Sequence, residues 1–218
     1  MKRTLPALAA TTAVLAVAMN ASAGYTGLAT EEMTNAESLG LGIAVIDLYA
    51  TFSNPADSVL TMTSLGITTT DAAGFWQHPL GGVLAPMDAL IPGTPALAYD
   101  SFVTAGTHTT IGAPSAFSVD VNASLFNTGG VLTGTWSAMP MSPFAVAGGD
   151  LRVLIARLSV TAGESISGTM LVNWKDGVTG APGIGQPEFF QVATVPAPGA
   201  AALLGCAGAF GRRRRRRA

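Results

Sequence analysis

Apolar and polar residues alternate with a period of two along several segments of this chain. The clearest examples are 45–52, 117–125, 151–160 and 166–174. This period places successive side chains on opposite sides of an extended backbone, so each segment predicts a β-strand with one buried face. Weaker patterns predict further strands at 58–63, 66–70, 100–104, 108–111, 131–136 and 188–194.

The same alternation assigns individual side chains to the core or to solvent. Asp47 and Tyr49 fall on the polar face of 45–52, which predicts a solvated carboxylate and an outward-facing ring. Asp120 is expected to be solvated in the same way, whereas Trp174 shares the apolar face of its strand and is expected in the core. In 151–160 the predicted apolar face carries Leu154, Ala156, Leu158 and Val160.

Turn-forming residues separate the predicted strands. They lie at 54–57, 127–130, 148–150 and 162–164. The best helical pattern in the body is short and covers 28–39. Many short strands with frequent turns predict an all-β fold, an antiparallel β-sandwich or jelly-roll-like single domain.

Residues 71–98 interrupt this regular spacing. They contain Pro79, Pro86, Pro92 and Pro95, and are too long for an ordinary hairpin loop. We expect this segment to pack over a sheet edge with Trp76 as its anchor. A functional loop is the alternative, because binding residues concentrate on long loops.

The N-terminus has the order of a secretory signal peptide. Lys2 and Arg3 precede an apolar run at 5–19, and Ala21-Ser22-Ala23 supplies the small-x-small pattern of a cleavage site. We expect cleavage between Ala23 and Gly24, with residues 1–23 removed. An N-terminal helix that stays in the protein is the alternative.

The C-terminus combines a short motif, an apolar run and a basic cluster. The apolar run at 200–210 would span about 17 Å as a helix, against a hydrocarbon core of roughly 30 Å, so it suits transient better than permanent insertion. Arginines after such a run stay on the cytoplasmic side of a membrane. The alternatives are a nucleic-acid-binding tail and a solvated tail. The motif is Val195, Pro196, Ala197, Pro198 and Gly199, and the cluster is Arg212, Arg213, Arg214, Arg215, Arg216 and Arg217.

This tail resembles the PEP-CTERM sorting signal of exported bacterial proteins, in its V-P-A-P-G variant. The commonest form of that signal has Glu at the position of Ala197. The resemblance covers residues 195–217 and implies a membrane-tethered precursor that an exosortase-like enzyme processes near the motif. It also implies the export machinery as a partner and delivery to the cell surface or extracellular matrix. Segments 45–57 and 99–104 loosely resemble uncharacterised secreted proteins with similar tails.

These ends divide the chain into a signal peptide (1–23), a β-sandwich domain (24–194) and a sorting tail (195–218). The whole chain has a net charge of −2, but the body keeps three basic residues against all 13 acidic ones, a formal charge of −10. Such a body is repelled by nucleic acid. The one cysteine, Cys206, lies in the tail, so we expect no disulfide in the body.

The body offers no recognisable catalytic or metal-binding motif. Its two histidines, His78 and His108, are 30 residues apart, and no G-x-S-x-G or H-E-x-x-H sequence occurs. We therefore expect no catalytic residues and no cofactor, although a calcium ion in a loop stays open without identifiable ligands. The sequence favours a non-catalytic surface or matrix protein with a structural or adhesive role.

Two other classes of function remain open. A carbohydrate-binding module would use exposed aromatic rings, and an extracellular polysaccharide would be its partner. Its candidate rings are Tyr49, Trp76, Trp136 and Trp174. An extracellular hydrolase would need two carboxylates, or a serine and a histidine, in one cleft.

Overall fold

The computed structural model describes residues 24–33, 39–110, 117–120 and 130–195. Its regular structure is almost entirely β, which confirms the all-β prediction, and short 3₁₀ turns lie in the connections, among them Asp88–Gly93, Pro95–Tyr99 and Pro143–Ala145. The strands are β1 (Tyr25–Met33), β2 (Ile43–Phe52), β3 (Ser58–Thr69), β4 (Phe102–Val103), β5 (Phe117–Asp120), β6 (Val131–Ala138), β7 (Arg152–Thr161), β8 (Ser165–Lys175), β9 (Pro182–Gly183) and β10 (Glu188–Ala193).

The strands form two antiparallel sheets. Sheet A has the order β1-β2-β7-β4, and sheet B has the order β10-β8-β3-β6-β5, with β9 paired to β8. The chain passes from one sheet to the other several times, and two of these passages are those from β2 to β3 and from β7 to β8. Because β2 pairs with β7 and β3 with β8, these two passages lie side by side at the centre of the sandwich.

The core lies between the two sheets. It contains inward-facing residues of both, with Trp136 fully buried and its indole N–H donating to the carbonyls of Thr104 and Ile155 at 3.0 and 3.1 Å. Alternate residues of β2 and β8 supply much of the rest, as the sequence pattern predicts. Trp174 is partly buried and packs against this core, which confirms the face to which its strand pattern assigned it.

A β-bulge in β7 makes one assignment wrong. The register between β2 and β7 shifts at Leu48 and Tyr49, and Ile155 and Ala156 both face the core. The alternation before the bulge is therefore inverted relative to the alternation after it. Leu154, predicted to share a face with Ala156, lies instead on the outer side of sheet A with Tyr49.

The helix predicted at 28–39 is also wrong over its described part. Residues up to Met33 continue β1, which pairs with β2 from Tyr25 opposite Phe52 to Met33 opposite Val45. Residues 34–38 lie outside the described ranges. Pairing with a long central strand has outweighed the modest helical propensity of this segment, since tertiary context routinely overrides local preference.

The other strand predictions mostly hold. Segments 58–63 and 66–70 are one strand, β3, with register shifts at Val59/Thr61 and Ser64/Gly66. Segment 117–125 forms β5 over its first four residues, and the rest lies outside the described ranges. The strand predicted at 108–111 is wrong over its described part, because Thr110 makes only an isolated bridge to Met87. Residue 111 lies outside the described ranges.

The irregular segment at 71–98 covers the outer face of sheet A and leads through the short edge strand β4 to residue 110; we call residues 71–110 the excursion. Trp76 donates its N–H to the carbonyl of Ser159 at 2.7 Å and accepts from Ser101 at 3.2 Å, so it lies along the edge of β7. Its ring packs against the outward-facing Ile43 and Val45. This arrangement confirms the prediction of an edge-covering loop anchored by Trp76.

Candidate functional site

Two of the predicted processing residues lie within the described part of the chain. Gly24 is buried, and its N–H donates to the Ser53 hydroxyl at 2.9 Å. Val195 is exposed and lies two residues beyond the end of β10 at Ala193. Outside the described ranges lie Ala21 and Ala23 of the cleavage site, Pro196, Ala197, Pro198 and Gly199 of the motif, and Arg212, Arg213, Arg214, Arg215, Arg216 and Arg217.

A buried ion pair lies on the outer face of sheet A. Asp47 and Arg157 are 4% and 2% exposed, and the guanidinium donates from Nε to Asp47 Oδ1 at 2.7 Å and from Nη2 to Oδ2 at 2.8 Å. Arg157 Nη1 also donates to the carbonyl of Ala98 in the excursion at 2.5 Å. One arginine therefore joins β2, β7 and the covering segment.

The prediction that Asp47 is an ordinary solvated charge was wrong. Burial alone would raise the pKa of Asp47, but the hydrogen bonds and charges of Arg157 and His108 outweigh it and hold the pKa below its usual value. His108 Nε2 lies 3.0 Å from Oδ2 of the same carboxylate. Asp47 is thus a structural anion with both oxygens engaged.

Tyr49 does not face solvent as predicted. Its side chain is 7% exposed and packs with Ala85, Phe102 and Leu154, while the Arg152 guanidinium lies 4.2 Å from its ring centroid. Burial, and then the negative charge of Asp47, raise the pKa of Tyr49 to about 12. The ring is therefore unavailable for stacking on a sugar.

The other three candidate rings do not form an exposed platform. Trp136 is at the centre of the core, and Trp76 and Trp174 each pack against a buried cluster. An aromatic platform for carbohydrate needs exposed coplanar rings, and these side chains are committed to the fold.

Asp100 is a second buried carboxylate, and it holds a turn of the excursion. Its Oδ1 accepts from the N–H of His78 at 2.7 Å and its Oδ2 from that of Gly82 at 3.0 Å. Burial raises the pKa of Asp100 to about 6, although these N–H groups oppose the shift. A Cβ at Gly81 would lie 1.8 Å from Oδ2, so only glycine fits the closed turn.

A concave surface lies on sheet B, at the opposite side of the sandwich. This groove has a volume of about 780 Å³. Its floor includes the outer-face residues Thr61, Ser137 and Lys175, whose strand neighbours Met62, Trp136 and Trp174 point towards the core. Its two walls are the loops 139–146 and 177–180.

Asp57 fixes both walls of the groove. It is fully buried, its Oδ1 accepts from the N–H of Gly177 at 2.9 Å, and its carbonyl accepts from the N–H of Ala147 at 2.8 Å. The backbone approaches closely here, since a Cβ at Gly177 would lie 2.1 Å from the carbonyl oxygen of Ala56. The groove is therefore preformed by the fold.

The surface of this groove combines exposed apolar side chains with several polar ones. Met139, Met141, Val146 and Val178 line it and are exposed, Met141 at 99%. Ser142 also lines it, and its buried hydroxyl has no hydrogen-bond partner among the described residues. Preformed apolar surface with a few polar groups is typical of binding sites. Neither the groove nor Lys175 was singled out from the sequence, since its walls are distant in the chain.

Within the described ranges, no group of three or more His, Cys, Asp or Glu side chains is placed to hold a metal ion. No helix among the described residues is long and apolar enough to cross a membrane.

No family model, curated protein or solved structure matches the chain.

Proposed function

We propose that the protein is an exported, non-catalytic component of the cell surface or extracellular matrix with a structural or adhesive role. The observation that carries the proposal is the position of the tail motif relative to the fold. Strand β10 ends at Ala193, and Val195, the first residue of the motif, is 66% exposed. A processing enzyme needs exposed chain outside a folded domain, and the motif begins at such a point.

The use of polar groups in the body supports a structural role. Asp47 is paired with Arg157, Asp57 holds the groove walls, and Asp100 holds a turn of the excursion. Each of these carboxylates accepts hydrogen bonds that fix a connection of the fold. A carboxylate pair for hydrolysis would instead face a common cleft.

The proposed sequence of events follows from the two ends of the chain. Signal peptidase cleaves between Ala23 and Gly24 after export. The apolar run then inserts transiently, with the arginine cluster on the cytoplasmic side. An exosortase-like enzyme acts near 195–199 and releases the acidic sandwich to the outside.

Replacement of Arg212–Arg217 by serine tests this sequence in the native host. Without the basic cluster, the tail loses its cytoplasmic stop, so we expect the protein to leave the membrane with the tail still attached. Ala197→Glu is the matched control, because it introduces the residue of the commonest motif and should be processed normally. Unchanged processing of the serine variant would overturn the proposed route.

A further inference from the structure

The three basic residues of the described body differ in their surroundings. Arg157 is paired with Asp47, and Arg152 Nη1 donates to Glu31 Oε2 at 2.7 Å. Lys175 is exposed and takes part in none of the ion pairs of the described residues. This free cation lies in the groove of sheet B, on a body with a formal charge of −10.

An apolar projection lies on the other side of the sandwich. The 3₁₀ turn Asp88–Gly93 contains no buried residue, and Met87 and Leu90 are 59% and 44% exposed. It belongs to the excursion, which covers the outer face of sheet A. Exposed apolar side chains grouped on one turn are typical of an interaction surface.

The projection and the groove are complementary in chemistry. Met87 and Leu90 match the exposed apolar side chains of the groove walls, among them Met139 and Met141. The one charged residue of the turn is Asp88, which is opposite in sign to Lys175.

The groove is also rigid enough to receive a segment without rearrangement. In the 177–180 wall, Asp176 Oδ1 accepts from the N–H groups of Val178 and Thr179 at 2.7 and 2.8 Å. The other wall is held through Ala147 by Asp57. Because these loops are already ordered, little conformational entropy is lost on binding.

We propose that the groove of sheet B binds the Asp88–Gly93 turn of a second copy of this chain. Since the turn and the groove lie on opposite faces of the sandwich, the contact is head-to-tail. A heterologous contact of this kind leaves one free groove and one free turn at the ends of every assembly. The copies therefore add in an open series.

Each contact in this series is weak. A single turn in one groove buries less than the roughly 1,200 Å² of a stable interface. Assembly consequently depends on a high local concentration, as on a cell surface, where many contacts act together. The suggestion that assembly takes place on a cell surface rests on the proposed structural role. The binding of the turn in the groove does not depend on that role.

Charge exchange between the two surfaces tests the proposal. Sedimentation of the purified protein over a series of concentrations should show progressive self-association. Asp88→Lys and Lys175→Glu should each weaken it about tenfold at low salt, because an attractive pair becomes repulsive. The double variant restores the opposite charges and should recover association. Glu32→Lys, an exposed site elsewhere with the same change in net charge as Asp88→Lys, should not weaken it.

Disulfide trapping locates the contact independently of charge. In a Cys206→Ser background, a Leu90→Cys chain mixed with a Met141→Cys chain should give a cross-linked heterodimer under mild oxidation. Leu65→Cys is the matched control, because Leu65 is exposed on the outer side of sheet B and does not line the groove. Equal cross-linking of Leu90→Cys to Leu65→Cys would overturn the assignment.

Three further results would overturn the proposal. The protein could remain monomeric at all concentrations, or it could associate without any effect of the charge exchange. A monomeric protein whose groove instead binds oligogalacturonate through Lys175 would assign the groove to an acidic polysaccharide. None of these results alters the processing of the chain in its host, so failure of this inference is distinguishable from failure of the proposed function.

Discussion

Arg157 donates two hydrogen bonds to Asp47, from Nε and from Nη2, at a depth where both side chains are almost inaccessible to water. A third hydrogen bond from the same guanidinium reaches the carbonyl of Ala98. The pair therefore fastens the excursion to the centre of sheet A. In a body without a described disulfide, such contacts hold a long irregular segment in place.

Breaking this pair should strongly destabilise the protein. Asp47→Ala leaves the Arg157 charge buried without a partner, and we expect the free energy of unfolding to fall by about 3–5 kcal/mol. Glu31→Gln is the matched control, since it removes the exposed partner of Arg152 and should cost less than about 1 kcal/mol. Denaturant unfolding followed by tryptophan fluorescence measures both. Equal losses would contradict the assigned role of Asp47.

Removing both charges should be far less harmful than removing one. In Asp47→Leu/Arg157→Met no buried charge is left unpaired, so much of the loss seen in Asp47→Ala should be recovered. The hydrogen bond to Ala98 is still lost, and we expect the excursion to be cut faster by a protease than in the parent. A double variant no more stable than Asp47→Ala would show that the pair itself, rather than the unpaired charge, accounts for the loss.

Stability should be greatest at mildly acidic pH. The pKa of Asp100 is raised to about 6, so its contribution is fully present below its usual pKa, near 4, and is lost as the pH rises through about 6. The pKa of Asp47 is lowered, so its contribution is present above its usual pKa and is lost as the pH falls further. We expect the maximum at about pH 4, because the Asp47 contribution is lost below this pH and the Asp100 contribution is lost above it.

Asp100→Asn separates the contribution of Asp100 to this pH dependence from that of the repulsion among the many negative charges of the body. Linkage gives up to about 3 kcal/mol from Asp100 between pH 4 and 7, and the variant should lose that part of the pH dependence. Unfolding free energies of both proteins at several pH values provide the comparison. Parallel curves for the variant and the parent would contradict the raised pKa.

Replacement by alanine should have very different effects on stability at two adjacent glycines, Gly81 and Gly82. A Cβ at Gly81 meets Asp100 Oδ2 at 1.8 Å, whereas a Cβ at Gly82 meets nothing within 4 Å. Gly81→Ala must displace a buried carboxylate from its N–H donors, and we expect a loss of about 1–3 kcal/mol. Gly82→Ala should be nearly neutral. Thermal unfolding of the two variants tests the closed turn around Asp100.

Met141 should show opposite effects on stability and on association. Its φ of 64° lies in the left-handed region, and its side chain is almost wholly exposed beside the groove. Met141→Gly relieves the backbone strain and should stabilise the fold by about 1 kcal/mol, while it weakens self-association. Leu151→Gly, at the other non-glycine residue of positive φ among those described, should stabilise the fold without affecting association.

The strands of this fold were largely predictable because alternation is a local property of the sequence. The burial of the outer face of sheet A could not be predicted in this way. Asp47 and Tyr49 lie at polar positions of a half-buried pattern, but the excursion covers them, and this contact joins residues more than 30 positions apart. The bulge at Ile155 and Ala156 likewise arises from register between strands, which no single segment encodes.

The groove could not be predicted from the sequence, for a related reason. Its walls come from the connection after β6 and the connection after β8, and Asp57, which holds both, precedes β3. One signal was present in the sequence. A body with 13 acidic residues and three basic ones makes each basic residue conspicuous, and Lys175 takes part in none of the ion pairs among the residues that the structure describes.

Intact-mass measurement of the protein recovered from the surface or medium of its native host tests the central claim most directly. The account predicts a mature form that begins at Gly24 and ends within or close to 195–199. Such a form would lack the cysteine and all six arginines of the tail. A secreted form that retains Arg212–Arg217 would contradict it.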